Sequence, residues 1–196
     1  GIAVSTAAFS QAGVTLVADG RGGAILAWGD NRLPANSFDV HAQRVDRFGQ
    51  LGDPAASITS VRDVPGDQGG RVKVSWSASW LDADPTYGVV EYRLWRSAPQ
   101  ALTKVGTAAA RATTTDPDEA AAKGLRLVLP FASNDHAWEL VGAQTAAILP
   151  AYSLIATTTS DSAAAGNWRT AFMVEARAST AVSADRWYSA PDSGYS

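Results

Sequence analysis

The sequence contains no cysteine, which removes disulfide staples, thiolate nucleophiles and Cys-ligated metals together and leaves packing and hydrogen bonds to hold the fold. Histidine, the usual proton carrier near neutral pH, occurs only at His41 and His136. Neither lies in a motif, and no Gly-x-Ser-x-Gly elbow, His-Glu-x-x-His pair, phosphate loop or dinucleotide fingerprint occurs. No run of about 18 apolar residues is present, so no membrane-spanning helix is encoded. A surplus of positive charge is missing too. Sixteen Lys and Arg stand against 19 Asp and Glu, and without a basic footprint no nucleic-acid partner is expected.

Glutamate is scarce, with four in the chain. Glu91, Glu139 and Glu175 fall at alternating positions that read as outward, where an acid serves solubility and edge protection. Aspartates concentrate at turns, where they cap backbone amides. The best oxygen clusters for calcium are Asp30-Asn31 with Asp39, and Asp82-Ala83-Asp84, and both lack the dense Asp-x-Asp-x-Asp-Gly spacing. No catalytic residue, cofactor or metal is therefore expected, and the chain is not read as an enzyme. The start, GIAVSTAAFSQAG, has no initiator Met, no basic residue and no long apolar segment; it reads as a processed chain or an excised piece and not as an intact secretory signal.

What the sequence does have is alternation. Its 196 residues are 46% hydrophobic, enough for a packed core. Residues 1–56 hold three strand-like pieces, 14–18, 24–28 and 40–45, separated by Asp19-Gly20-Arg21-Gly22-Gly23 and Gly29-Asp30-Asn31 and closed by Asp46-Arg47-Phe48-Gly49. The third piece shows no clear apolar face. Three short strands are marginal in water unless something packs on them.

From Ser57 the strands lengthen. In GDQGGRVKVSWS, Val72, Val74 and Trp76 share one face while Arg71, Lys73 and Ser75 take the other. Val90, Tyr92 and Leu94 do the same, and so do Phe172, Val174, Ala176 and Ala178. Further strands are expected over 137–142, 152–156 and 187–190. Such segments bury one face each and predict an all-β sandwich over 57–196. Seven tryptophans raise the possibility of a carbohydrate platform, but Trp76 and Trp28 read as buried; Trp80, Trp95, Trp138, Trp168 and Trp187 stay open.

Two resemblances follow from these residues. AWGDNR and FDVHAQRVDRFG, with Trp28, Asp30, Arg32, Asp39, Gln43, Arg44 and Asp46, resemble one copy of a β-propeller-like repeat of bacterial secreted proteins, His41 standing where an aromatic is usual. Residues 58 to 196 resemble a fibronectin type III domain: Val72-Lys73-Val74-Ser75-Trp76 matches strand B, Glu91-Tyr92-Arg93-Leu94-Trp95-Arg96 strand C, Trp138-Glu139-Leu140-Val141 strand C′, and Phe172 to Ala178 strand F. Phe172 replaces a tyrosine whose hydroxyl ties down a corner in that family. The resemblance implies an immunoglobulin-like sandwich in a modular bacterial protein, extracellular, on the cell surface or in the periplasm, that acts through protein contacts.

An insertion of about 40 residues, Ser97 to His136, interrupts this pattern. Thr115 to Gly124 predicts a short helix with a Thr or Asp cap, Pro and acids early, Lys late and Gly as its stop. The apolar run after it supplies the expected partner contacts, Leu125, Leu127, Leu129 and Phe131, together with Trp95, unless these side chains pack back onto Trp95 as extra core. The leading expectation is a non-catalytic interaction or spacing module. The alternatives are an accessory subunit of a larger extracellular assembly such as a filament, and a carbohydrate-binding accessory.

Overall fold

The computed structural model describes residues 1–20, 22–32, 38–67, 69–86, 88–98, 112–131, 134–159, 169–180 and 184–196, with the backbone alone at 130–131 and 134–136. Strands dominate it, with one short α-helix. The chain divides into two units, Gly1–Asp53 and Pro54–Ser196, a boundary three residues earlier than the one expected.

In the first unit β1 (Gln11–Ala18), β2 (Ala24–Asp30) and β3 (Asp39–Val45) form an antiparallel meander. The Asp19 carboxylate closes the first turn by accepting from the Gly23 amide at 2.8 Å, an Asx arrangement that favours a tight reversal. Register settles the orientation of β3, pairing His41 with Trp28 and Gln43 with Leu26. Val14, Leu16, Val17, Ile25 and Val40 remain exposed, and Trp28 is the one buried hydrophobic side chain of this unit among the described residues.

The second unit has two sheets. One orders β4 (Ser57–Asp63), β5 (Arg71–Ser77) and β10 (Ala151–Thr157) as β10-β5-β4. The other is built on β6 (Val89–Ser97), β9 (Asn134–Thr145) and β11 (Thr170–Ala178) and is extended by β7 (Thr113–Thr114), β8 (Arg126–Phe131), β12 (Arg186–Tyr188) and β13 (Asp192–Gly194). Val72, Val74 and Trp76 are fully buried, as their alternation requires. Trp76 lies 6.1 Å from Tyr92 across the layers and 6.2 Å from Tyr152, its neighbour on the adjacent strand β10, ring centre to ring centre. Tilted and stacked aromatics of this kind add to the burial of large apolar area.

The outer face of the larger sheet departs from expectation. Helix α1 (Pro117–Lys123) lies over it and β8 extends it beside β9, so β6 and β11 are buried on both sides: Trp95, Met173, Ala120, Leu127 and Trp138 make a second core. Glu175 is fully buried and Glu139 nearly so. The outward, solvated reading of these two acids is thus corrected: Glu175 lies under the insertion against the Trp95 indole, and Glu139, on the face opposite Trp138, is enclosed by Arg96 and Arg126. The helix starts at Asp116, whose carboxylate accepts from the amides of Asp118 and Glu119, and ends at Gly124 in the left-handed region with φ 65°, where glycine carries no Cβ penalty.

Candidate functional site

The insertion carries the residues expected to meet a partner. Trp95 and Leu127 are both 0% exposed, so they are interior side chains and no surface for a partner. Leu125 and Leu129 are half-buried, Leu129 packing against the same core, and the side chain of Phe131 lies outside the described residues. The expected docking patch is therefore corrected to extra core: Leu127 and Leu129 on β8 pack with Trp95 and Trp138, and Ala120 of helix α1 closes the cluster.

Ion pairs fasten the insertion. Arg93 donates to Glu91 at 2.7 Å and to Asp118 at 2.8 Å; Arg186 donates to Glu175 at 2.7 Å and also to Asp118; the Trp95 indole N–H donates to Glu175 at 2.9 Å. On the far side Glu139 accepts from Arg96 at 2.8 Å and Arg126 at 3.0 Å. Burial pushes the Asp118 and Glu139 carboxyls upward, but the guanidiniums outweigh it and hold both below their ordinary values. Burial, with Glu175 nearby, raises the Tyr188 phenol. Each of these carboxylates is thus held by arginines of its own chain.

The first unit is likewise tied internally. Trp28 donates to Asp30 at 3.0 Å, Arg32 holds the same carboxylate at 2.6 Å, and His41 stacks on the Trp28 ring at 6.3 Å. The Arg32 hydrogen bond, opposed by burial and helped by Trp28, lowers the Asp30 pKa strongly. Arg44 pairs with Asp19 at 2.7 Å, and Asp46 accepts from the amides of Phe48 and Gln50. The repeat-like residues are thus spent on turns and strand ends. His136's side chain lies outside the described residues. No group of three or more His, Cys, Asp or Glu is placed to hold a metal among the described residues.

One end of the sandwich differs. After β5 a single 3-10 turn, Trp80–Ala83, is capped by Ser79, whose hydroxyl accepts from the Leu81 amide at 3.1 Å. The connection between β9 and β10 runs beside it. There the amides of Ala147 and Leu149 donate to the Tyr152 hydroxyl at 2.7 and 3.2 Å; that hydroxyl donates to Asp82 at 2.5 Å, and the Ile148 amide donates to the other Asp82 oxygen at 3.4 Å. Burial, then the Asp82 hydrogen bond, raises the Tyr152 phenol. Ser79 donates its amide to the Tyr92 hydroxyl at 3.0 Å, so the loop hangs from two core tyrosines.

This anchoring presents apolar side chains to solvent. Trp80 is 43%, Ile148 70% and Leu149 47% exposed, and with Pro150 and Asp82 they line an open groove of about 400 Å³. Ile148 has φ 56°, a region that a β-branched residue enters only under constraint. Trp80 is the exposed tryptophan among the described residues; Trp95, Trp138 and Trp187 are buried, and Trp168 lies outside them. Sequence reasoning missed this surface because Ile148-Leu149-Pro150 reads as the approach to a strand. The one available signal was Trp80 in a segment, SASWLDADP, that shows no strand alternation.

Comparison of the chain with protein-family models, with curated proteins and with solved structures returns no match.

Proposed function

We propose that the chain is a non-catalytic contact module of the fibronectin type III kind, part of a modular bacterial protein outside the cytoplasm, and that it meets its protein partner through the end formed by Trp80, Ile148 and Leu149. The exposure of these three side chains on a hydrogen-bonded, strained scaffold carries the proposal. Large apolar side chains held in solvent at a backbone cost mark contact sites more often than stable free surface. The strand order supports the family reading: the strand matched to B lies in one sheet and those matched to C, C′ and F lie together in the other.

The test is a photo-crosslinking residue at position 149, with position 153 on the outer side of β10 as control, exposed to the proteins of the cells that secrete the chain. Crosslinks to a protein from 149 and not from 153 support the reading; equal labelling from both positions, or none, overturns it.

A second reading, a subunit of a larger extracellular assembly, draws on the exposed Val14, Leu16, Val17 and Val40 of the first unit. Sedimentation over a wide concentration range separates it from a monomeric module.

A further inference from the structure

We propose that the groove beside Trp80 takes the cationic end of a lysine or arginine side chain, carried on an apolar segment of a protein partner. The inference deepens the contact-surface reading and rests on it.

Asp82 carries the argument. It is 8% exposed, and the two other buried carboxylates of the second unit, Glu139 and Glu175, are both held by arginines of this chain. Asp82 has none among the described residues: the hydroxyls of Tyr152 and Tyr92 and the Ile148 amide are its donors. Both of its oxygens accept hydrogen bonds. Among the described residues no Lys, Arg or His lines the groove. A buried negative charge without a counter-ion in its own chain is costly and favours a cation brought from outside.

The walls fit the rest of such a side chain. The exposed indole of Trp80 offers a ring face to an ammonium or guanidinium, and Ile148, Leu149 and Pro150 offer apolar surface to its methylene stem. A sugar fits less well, because the amides of Ala147, Ile148 and Leu149 that could donate to its hydroxyls already serve Tyr152 and Asp82. A free small amine fits less well too. Ile148 and Leu149 are about half exposed or more, and apolar neighbours of the cation on the same chain would cover them.

The experiment uses the full chain and follows the backbone amide resonances of residue 82, Ile148 and Leu149 by NMR, which every variant below retains. The probes are N-acetyl-Leu-Lys-Leu-amide, its norleucine and glutamate counterparts, n-butylammonium and a methyl glycoside. The lysine peptide is expected to saturate at a concentration at least about fivefold lower than the norleucine peptide, the size of a partly desolvated cation–π and carboxylate contact. Asp82→Asn is expected to bring the two peptides within about twofold of each other, and Trp80→Ala to weaken both. Should Asp82→Asn disturb the loop, Trp80→Leu keeps the apolar wall and is expected to reduce the lysine preference alone.

Equal binding of the lysine and norleucine peptides overturns the cation assignment while leaving the contact-surface reading standing. Butylammonium binding as tightly as the lysine peptide overturns the protein segment. A response to the glycoside alone, or to no probe, overturns the proposal.

Discussion

Trp76 and Trp95 are both fully buried, yet they differ by one hydrogen bond. The Trp95 indole donates to Glu175, whereas the Trp76 donor meets no acceptor among the described residues. Trp95→Phe leaves a buried carboxylate short of a donor, so it is expected to cost about 1–3 kcal/mol more than Trp76→Phe in urea unfolding. Equal costs would mean that the bond contributes nothing. Ile148 makes the opposite case. Its left-handed backbone is a strain that glycine relieves, so Ile148→Gly is expected to stabilise the fold by about 1 kcal/mol while weakening partner contact. A thermal melt beside a binding assay reads both signs. None of this was legible at the residue level: alternation assigns a side chain to a face but does not say what covers the face.

Among the elements, helix α1 was the most readable, since its Pro, early acids, late Lys and terminal Gly all act within one turn of the chain. The N-cap carboxylate of Asp116 satisfies two amides, at 2.8 and 3.3 Å, and Asp116→Ala is expected to lower stability by about 1 kcal/mol. What the helix does was hidden, because Asp118 pairs with Arg93 and Arg186, residues 25 and 68 positions away. The ion pairs also set an acid response. Asp118 and Glu139 have folded-state pKa values below their unfolded ones, so their stabilisation is complete above about pH 5 and is lost as pH falls through the depressed values. Arg126→Gln removes one cause of the Glu139 shift and is expected to flatten the fall of stability with acid, measured as the urea midpoint against pH. Strands β5, β6 and β11 were legible from strict alternation. The edge strands β4 and β13 were not. A bulge between Ile58 and Ser60 breaks the period of β4, and β13 is three residues long, with Gly194 so close to Val61 that a Cβ would clash at 2.5 Å.

At the scale of the molecule the two units differ in how they hold themselves. The second encloses two cores, one between its sheets and one under the insertion. The first, among its described residues, buries one large apolar side chain, Trp28, and relies on turns and ion pairs. Three strands with so little interior are marginal alone. Expressed separately, residues 54–196 are expected to melt cooperatively and residues 1–53 to lack a cooperative transition, with far-UV circular dichroism as the measure. A cooperative melt of the short piece would mean that its surface hydrogen bonds supply more than burial does.

The sequence by itself determined that the chain is all-β, where most strands lie, which faces of β5, β6 and β11 turn inward, and where the one helix starts and stops. These are short-range consequences of side-chain period and capping, and each is written in neighbouring residues. Tertiary structure alone decided that Leu127 and Trp95 are core, that Glu139 and Glu175 are buried with arginines, and that Trp80, Ile148, Leu149 and Asp82 line one groove. Those outcomes depend on groups far apart in the chain arriving at one place, and no local pattern records which distant surface will cover a given face.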